Sequence, residues 1–321
     1  MRLRTLSAAL VAGVVALAGC GGDRSAQQAE QTGGGKRLSI ATGNTTGVYY
    51  ILGGGLADQI SKNLPGYQAT AEATGASVEN IQRVVKGDSD IAFTLADSAA
   101  DAVAGKGAFT APQPIRAIAR LYNNSTQVVA TAESGVKSIA DLKGKRVSTG
   151  SPNSGTEVIA LRLLEAAGLD PATDITKQSL GLPESVQGIK DGTLDALVWS
   201  GGLPTPGITD LFTSLKEKVA FVPLTDLLPK MRATHGPVYS AGTIAKDVYG
   251  TPADAPTIVV PNLLVVHEKM DPVLAESLTG LLFDRQSELA AVHASAKQIT
   301  KETAVQTDPV QLHDGSKKYF G

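Results

Sequence analysis

Residues 38–60, LSIATGNTTGVYYILGGGLADQI, read as a short strand, a glycine-rich loop and a helix. Leu38 and Ile40 are the apolar positions of a buried strand. Gly43, Asn44, Thr45, Thr46 and Gly47 form the loop, where glycine admits backbone angles that other residues resist. From Tyr49 the spacing turns helical, with Tyr49, Leu52, Leu56 and Ile60 near one stripe. The free N–H groups and the dipole at the start of such a helix make a seat for an anion or a polar ligand. Taken alone, the loop is equally compatible with a turn that only redirects the chain, since glycine-rich turns occur throughout α/β folds.

Further along, the same order returns. Residues 145–156, KRVSTGSPNSGT, again give strand, Thr-Gly, polar loop, Gly and helix, with one extra loop residue and a glycine stop at Gly168. Residues 189–198, IKDGTLDALV, match residues 85–93, VKGDSDIAF: a helix end, a turn with glycine, an aspartate and a short apolar strand. Between the first strand and this turn, Ser77 is placed to cap a helix, with Asn80 at capping-box spacing and Gly87 as its stop. Each repeated strand opens into a polar or glycine-rich loop, at Asp97 and Ser98 in one copy and at Ser200, Gly201 and Gly202 in the other. The expected fold is α/β, built as two similar lobes. Ligands of parallel sheets gather outside the carboxyl ends of the strands, so two such lobes put two glycine loops across one cleft. Residues 115–132 are apolar and extended and suit a first crossing between lobes. A return is expected between residues 219 and 238, punctuated by Pro223, Pro229 and Pro237. Residues 257–267, TIVVPNLLVVH, then finish the first lobe, and residues 274–299 form one long helix or two.

Composition narrows the function. The 321 residues suffice for two ordinary domains, with 42% hydrophobic and 19% charged residues. The net charge is -2 and no basic block occurs, which argues against a nucleic-acid partner, since phosphate neutralisation needs clustered Lys and Arg. The lone cysteine, Cys20, excludes an internal disulfide and a multi-cysteine zinc site. It follows Arg2, Arg4 and an apolar run over residues 6–17 that is short for a membrane span. Leu17, Ala18, Gly19 and Cys20 resemble a bacterial lipobox, which implies removal of residues 1–19 and lipid attachment at Cys20; an ordinary signal peptide with an incidental cysteine is the other reading. Residues 20–35 are rich in Gly, Gln, Ala and Ser and suit a flexible tether. The protein is then extracytoplasmic and anchored to the membrane by lipid.

Catalytic patterns are lacking. His235, His267, His293 and His313 are widely spaced, and no Gly-x-Ser-x-Gly elbow occurs. Residues 143–145 precede their strand, so they are no phosphate loop, and residues 43–55 miss the dinucleotide fingerprint. No metal and no cofactor is expected.

Five ordered blocks carry a family resemblance: TGNTTGVYYILGGGLA at 42–57, TGASVENIQRVVKGDSDIA at 74–92, LKGKRVSTGSPNSGTEVIALRLLEAAGL at 142–169, DGTLDALVWSGGLPTPGITDL at 191–211 and PVQLHDGSKKYF at 309–320. Together they resemble the TAXI branch of solute receptors for tripartite ATP-independent periplasmic (TRAP) transporters, over nearly all of residues 38–321. The resemblance implies a type II periplasmic-binding-protein fold with two crossing strands as hinge. Lobe 1 is expected over residues 36–120 and 238–321, and lobe 2 over residues 121–237. It implies capture of a small organic solute, an amino acid or a dicarboxylate, glutamate-like or 2-oxoglutarate-like. Delivery to TRAP permease subunits follows, driven by an ion gradient. By position, ligand contacts fall at Gly43, Asn44, Thr45, Thr46, Gly47, Tyr49, Thr74, Ser77, Asp97 and Ser98 from one lobe. Ser151, Ser154, Gly155, Thr156 and Trp199 come from the other; Trp199 suits ligand stacking or packing beside the hinge. Asn44 and Thr45 are bulkier than the family's loop, and Asp314 stands where the family commonly has Pro. Arg83 and Arg120 are open to two readings, cations for an acid or structural arginines. Asp97 favours a ligand ammonium, and so an amino acid. A sensory lipoprotein without transport, or an enzyme using the same cleft, are the alternatives to a receptor.

Overall fold

The computed structural model of the protein describes residues 35–321. The leader, Cys20 and nearly all of the tether lie outside the described residues. Strand β1 (Lys36–Ala41) leads through the first glycine loop into α1 (Val48–Asn63). Then come β2 (Tyr67–Glu72), α2 (Ser77–Lys86), β3 (Ile91–Leu95) and α3 (Ala96–Ala104). Gly87 ends α2 in the left-handed region, as its glycine stop predicts. The 17-residue β4 (Ile115–Thr131) carries the chain to a second set of the same parts. These are β5 (Arg146–Ser148), α4 (Gly155–Ala166), β6 (Thr176–Gln178), α5 (Leu182–Lys190) and β7 (Ala196–Gly201). The chain continues through α6 (Pro206–Leu215), β8 (Val219–Phe221), α7 (Leu228–His235), β9 (Ser240–Ile244), the single turn α8 (Lys246–Tyr249) and β10 (Ala255–His267). It closes with α9 (Pro272–Asp284), α10 (Gln286–Val292), the turn α11 (Lys301–Ala304) and α12 (Asp314–Phe320).

The ten strands form one mixed sheet in the order β2-β1-β3-β10-β4-β7-β5-β6, with β8 on β4 and β9 on β10. Read from either edge toward the middle the order is the same: a second strand, a first, a third, then a long crossing strand. Within each half the three short strands are parallel, and the crossing strands β4 and β10 run antiparallel to each other and to their short neighbours. The duplication extends to single bonds. The Asp90 carboxylate accepts from the Ser39 N–H, and Asp90 N–H donates back to the Ser39 carbonyl. Asp195 does the same with Arg146 in the other half. Each aspartate ties the entry of its lobe's third strand to the first strand, so the repeated Gly-x-x-Asp turn of the sequence has a defined structural job.

Two expectations are corrected. Residues 219–238 do not return the chain across the hinge: their prolines break them into β8, a 3-10 turn and α7, with Pro229 at the helix start. The second crossing strand is β10, which pairs with β9 over its first residues and with β3 over its last. Residues 97–98 are no loop either. α3 begins at Ala96 directly after β3, because the run ADSAADAVA holds strong helix formers and no breaker before its Gly105 cap.

Apolar packing fits this architecture. Leu38, Ile40, Leu52, Leu56, Ile60, Leu264, Val266 and Leu278 join β1, β10 and helices α1 and α9 in one buried cluster. Val129, Leu182, Leu197, Ile208 and Leu211 anchor α5 and α6 on the opposite half.

Candidate functional site

Both glycine loops lie at the carboxyl ends of their first strands and are held by matching bonds. Thr42 N–H donates to the Glu72 carbonyl of the neighbouring strand, and Thr149 N–H to that of Gln178. Gly47 N–H closes its loop on the Asn44 carbonyl at 2.8 Å, and Ser154 N–H on that of Ser151 at 3.1 Å. Asn44 and Ser151 are therefore equivalent positions, and Asn44 Nδ2 lies 3.3 Å from Ser151 Oγ across the cleft.

Each loop also completes a helix of the opposite lobe. The Leu182 N–H at the start of α5 donates to Asn44 Oδ1 at 2.7 Å. The Glu79 N–H in the first turn of α2 donates to the Asn153 carbonyl at 3.1 Å. First-turn N–H groups have no partner inside their own helix, so these two bonds give α2 and α5 a cap from across the cleft. Gly155 marks how near the lobes come: a Cβ there would lie 2.6 Å from both Leu95 Cδ1 and Ser77 Oγ.

Between the loops is a narrow cleft lined from both lobes. In this closed arrangement it suits a small molecule. The N-termini of α1, α2 and α4 converge on it, bringing Val48, Ser77 and Gly155 to its wall. Their free N–H groups and dipoles favour negative charge. Ten of the residues that the resemblance implies are brought together here: Gly43, Asn44, Gly47, Tyr49 and Ser77 from one lobe, and Ser151, Ser154, Gly155, Thr156 and Trp199 from the other. Ser77 is not a cap. Ala76, at φ 88, holds that place, and Ser77 Oγ accepts from Leu95 N–H instead. Trp199 Nε1 donates to Thr205 Oγ1 at 3.1 Å, with its ring against Gly47.

Five expected residues are placed elsewhere. Thr45 is exposed, and Thr46 faces the start of α6 near Gly207. Thr74 is spent inside its own loop, accepting from Ala76 N–H and donating to Asn80 Oδ1. Asp97 and Ser98 sit in the first turn of α3, away from the cleft. Asp97 accepts from Tyr239 Oη at 2.8 Å and lies 3.6 Å from Arg162 Nη1, which also pairs through Nη2 with Asp101 at 2.5 Å. Burial pushes the Asp97 carboxyl up, and Arg162 and the Tyr239 hydroxyl oppose it. Burial likewise works against the Arg162 charge, but Tyr239, Asp97 and Asp101 hold its guanidinium above the usual range. Asp97 is a tie between α3 and α4 and offers nothing to a ligand ammonium. Arg83 pairs with Glu72, and Arg120 binds Gln306 and Asn123, so neither candidate cation reaches the cleft.

The floor of the cleft joins the glycine-rich end of β7 to residues of β4 that the sequence does not mark. Tyr122, Asn124, Ser200, Gly201 and Gly202 complete it. Tyr49 Oη donates to Asn262 Oδ1; Asn262 Nδ2 donates to Asn124 Oδ1 at 2.8 Å and to the Tyr122 carbonyl at 3.0 Å. Asn124 Nδ2 donates onward to the Ser200 carbonyl at 3.2 Å. This chain crosses both hinge strands. Asn262 sits where the β10–β4 register shifts, a bulge that turns a polar side chain inward. Two buried hydroxyls on the floor have no hydrogen-bond partner, Tyr122 Oη and Ser200 Oγ, on residues 1% and 6% exposed. Burial raises the Tyr122 phenol well above its ordinary value, so it stays a donor. Among the described residues no cluster of His, Cys, Asp and Glu is placed to hold a metal, and no helix is long and apolar enough to cross a membrane.

Comparison with known proteins agrees with this architecture. The model of the NMT1-like family matches residues 40–321. A binding-protein component of an ABC phosphonate transporter from Pseudomonas aeruginosa is 13% identical, with 83% of this chain and 80% of that one covered and a TM-score of 0.53. PhnD1 from Prochlorococcus marinus, solved with methylphosphonate, is 14% identical, with 82% and 88% covered and a TM-score of 0.50. At such identities the likeness shows the fold, the two-lobed architecture of periplasmic binding proteins.

Proposed function

We propose a solute-receptor function for this chain, which belongs to the NMT1-like family. The receptor is extracytoplasmic, held at the membrane through Cys20, and binds one small organic acid or amino acid between its lobes. The observation that carries this reading is the cleft itself: three helix N-termini from two lobes, two unpartnered buried hydroxyls, and closure bonds made by the very loops that line it. Solute touching both lobes shifts the balance from open to closed, by as much as it prefers the closed form. The closed protein then presents a surface shared by the two lobes to a membrane permease. The five sequence blocks favour the TAXI branch, and so a TRAP permease as the partner. Binding without turnover, and no cofactor, are part of the proposal.

Thermal unfolding of the purified protein against amino acids, monocarboxylates, dicarboxylates and 2-oxo acids tests it. A ligand held ~100-fold above its dissociation constant adds about 2.7 kcal/mol to stability. One narrow class should shift the midpoint and be recovered chemically unchanged. Failure of every compound, with no small molecule released from the denatured protein, overturns the reading.

A further inference from the structure

The residues that line the cleft include, among the described residues, no Lys, Arg, His, Asp or Glu. Two carboxylates stand behind the loops. Glu79 Oε2 accepts from Gly75 N–H at 2.7 Å, and Glu157 Oε2 from Asn153 N–H at 3.0 Å. Glu157 is in turn paired with Lys177. What faces a ligand is therefore a set of neutral donors: first-turn N–H groups of α1, α2 and α4, and the hydroxyls of Tyr122 and Ser200.

Such a set is selective by charge. One carboxylate is well served, because the helix ends hold fixed partial positive charge and several N–H groups. A second carboxylate would be buried with no cation in the lining, and an unpaired buried charge is costly. An ammonium group would meet three positive helix ends and no carboxylate in the lining, since Glu79 and Glu157 are turned to loop N–H groups and Asp97 is engaged by Tyr239 and Arg162. The two free hydroxyls add a second requirement. A buried donor left unmade is a penalty that a ligand oxygen removes.

We propose, resting on the receptor reading above, that the cleft is specific for small monocarboxylates bearing an oxygen next to the carboxylate, as in 2-oxo and 2-hydroxy monoacids. The carboxylate sits at the α4 N-terminus, by Gly155 and Thr156. The second oxygen accepts from Tyr122 Oη or Ser200 Oγ. The cleft rejects dicarboxylates and zwitterionic amino acids. This departs from the amino acid or dicarboxylate that the family resemblance implies.

Calorimetric titration of the purified protein with pyruvate, lactate, propionate, 2-oxoglutarate and glutamate decides the matter. Pyruvate or lactate should bind tightest, with 2-oxoglutarate and glutamate about 100-fold weaker. Propionate, lacking the second oxygen, should be about 10-fold weaker than the best monoacid. Tyr122→Phe should abolish or halve that preference for the oxygenated acid without lowering the unfolding midpoint, because the hydroxyl it removes has no partner to lose. Binding of 2-oxoglutarate or glutamate as tight as the monoacids overturns this specificity and leaves the receptor standing. If none of the five binds, the compound released on denaturation is weighed: a singly charged acid supports the proposal, and a dianion or zwitterion overturns it. No binding and no released compound overturns the receptor reading and the specificity together.

Discussion

Asn44 Oδ1 and the Leu182 N–H, on opposite lobes, are joined by a 2.7 Å hydrogen bond. The same side chain reaches Ser151 Oγ, its counterpart in the other loop. Asn44 is thus a latch of the closed form, and the bulk that sets this loop apart from the TAXI pattern has a structural use. Asn44→Gly should lower ligand affinity about 10-fold, the loss of one hydrogen bond. Small-angle scattering should show a more open protein without ligand. Unchanged affinity would mean that the bond is incidental to closure.

Gly155 faces Ser77 and Leu95 with no room for a side chain. Gly155→Val should hold the lobes apart and reduce binding by at least about 100-fold, since a solute touching one lobe loses its contacts to the other. Its backbone is not in the left-handed region, so the open protein should keep its unfolding midpoint to within a few degrees. Wild-type affinity in this variant would place the ligand outside the cleft.

Arg162 satisfies Asp97, Asp101 and Tyr239 in a buried cluster. Arg162→Met leaves a buried carboxylate without its partner and should cost about 3–5 kcal/mol in urea unfolding. The deficit has a pH sign. A buried acid whose native pKa is raised binds its proton more tightly when folded, so it costs stability as pH rises through that range. The variant should therefore fall further behind wild type at pH 8 than at pH 5, and Asp97→Asn should recover part of the loss.

Hydrogen bonds from Arg146 hold the Asp195 carboxyl below the usual carboxylate range. A carboxyl with a depressed native pKa contributes stability above its unfolded value of about 3.9, and that contribution is lost as pH falls through the lower native value. Acid titration followed by circular dichroism should show this loss below about pH 4. In Asp195→Asn the wild-type advantage should already be missing at pH 7, with a flatter acid limb. Identical acid limbs in the two proteins would remove Asp195 from the account.

Local chemistry was readable in the chain, and long-range pairing was not. The two Thr-Gly loops, the glycine stop at Gly87 and the paired turns ending in Asp90 and Asp195 are patterns within a few residues, and each folds as its spacing implies. At residues 97–98 a polar pair after a strand resembles a loop, whereas the alanines around it continue straight into α3. Tyr122, Asn124 and Asn262 lie in runs that read as apolar strands, a crossing at 115–132 and the end of the first lobe at 257–267. Their signal was the polar run NNSTQ at 123–127 and the Pro261-Asn262 pair inside VVPNLLVV. Both polar insertions fall where β4 and β10 meet, a fact of tertiary pairing that no window of sequence contains. The site's lack of charge was hidden for the same reason: Arg83, Arg120 and Asp97 have the right chemistry and the wrong neighbours.

The exchange of caps between the lobes bears on how such a protein can be re-engineered. A chimera that joins one intact lobe of this chain to the other lobe of a relative would match every strand in each half of the sheet, yet mismatch both loops with the helices they finish. Domain shuffling at the hinge should therefore give proteins that fold and do not shut. The exchangeable module is one glycine loop together with the foreign helix it serves, residues 43–47 with the start of α5, and residues 150–154 with the start of α2.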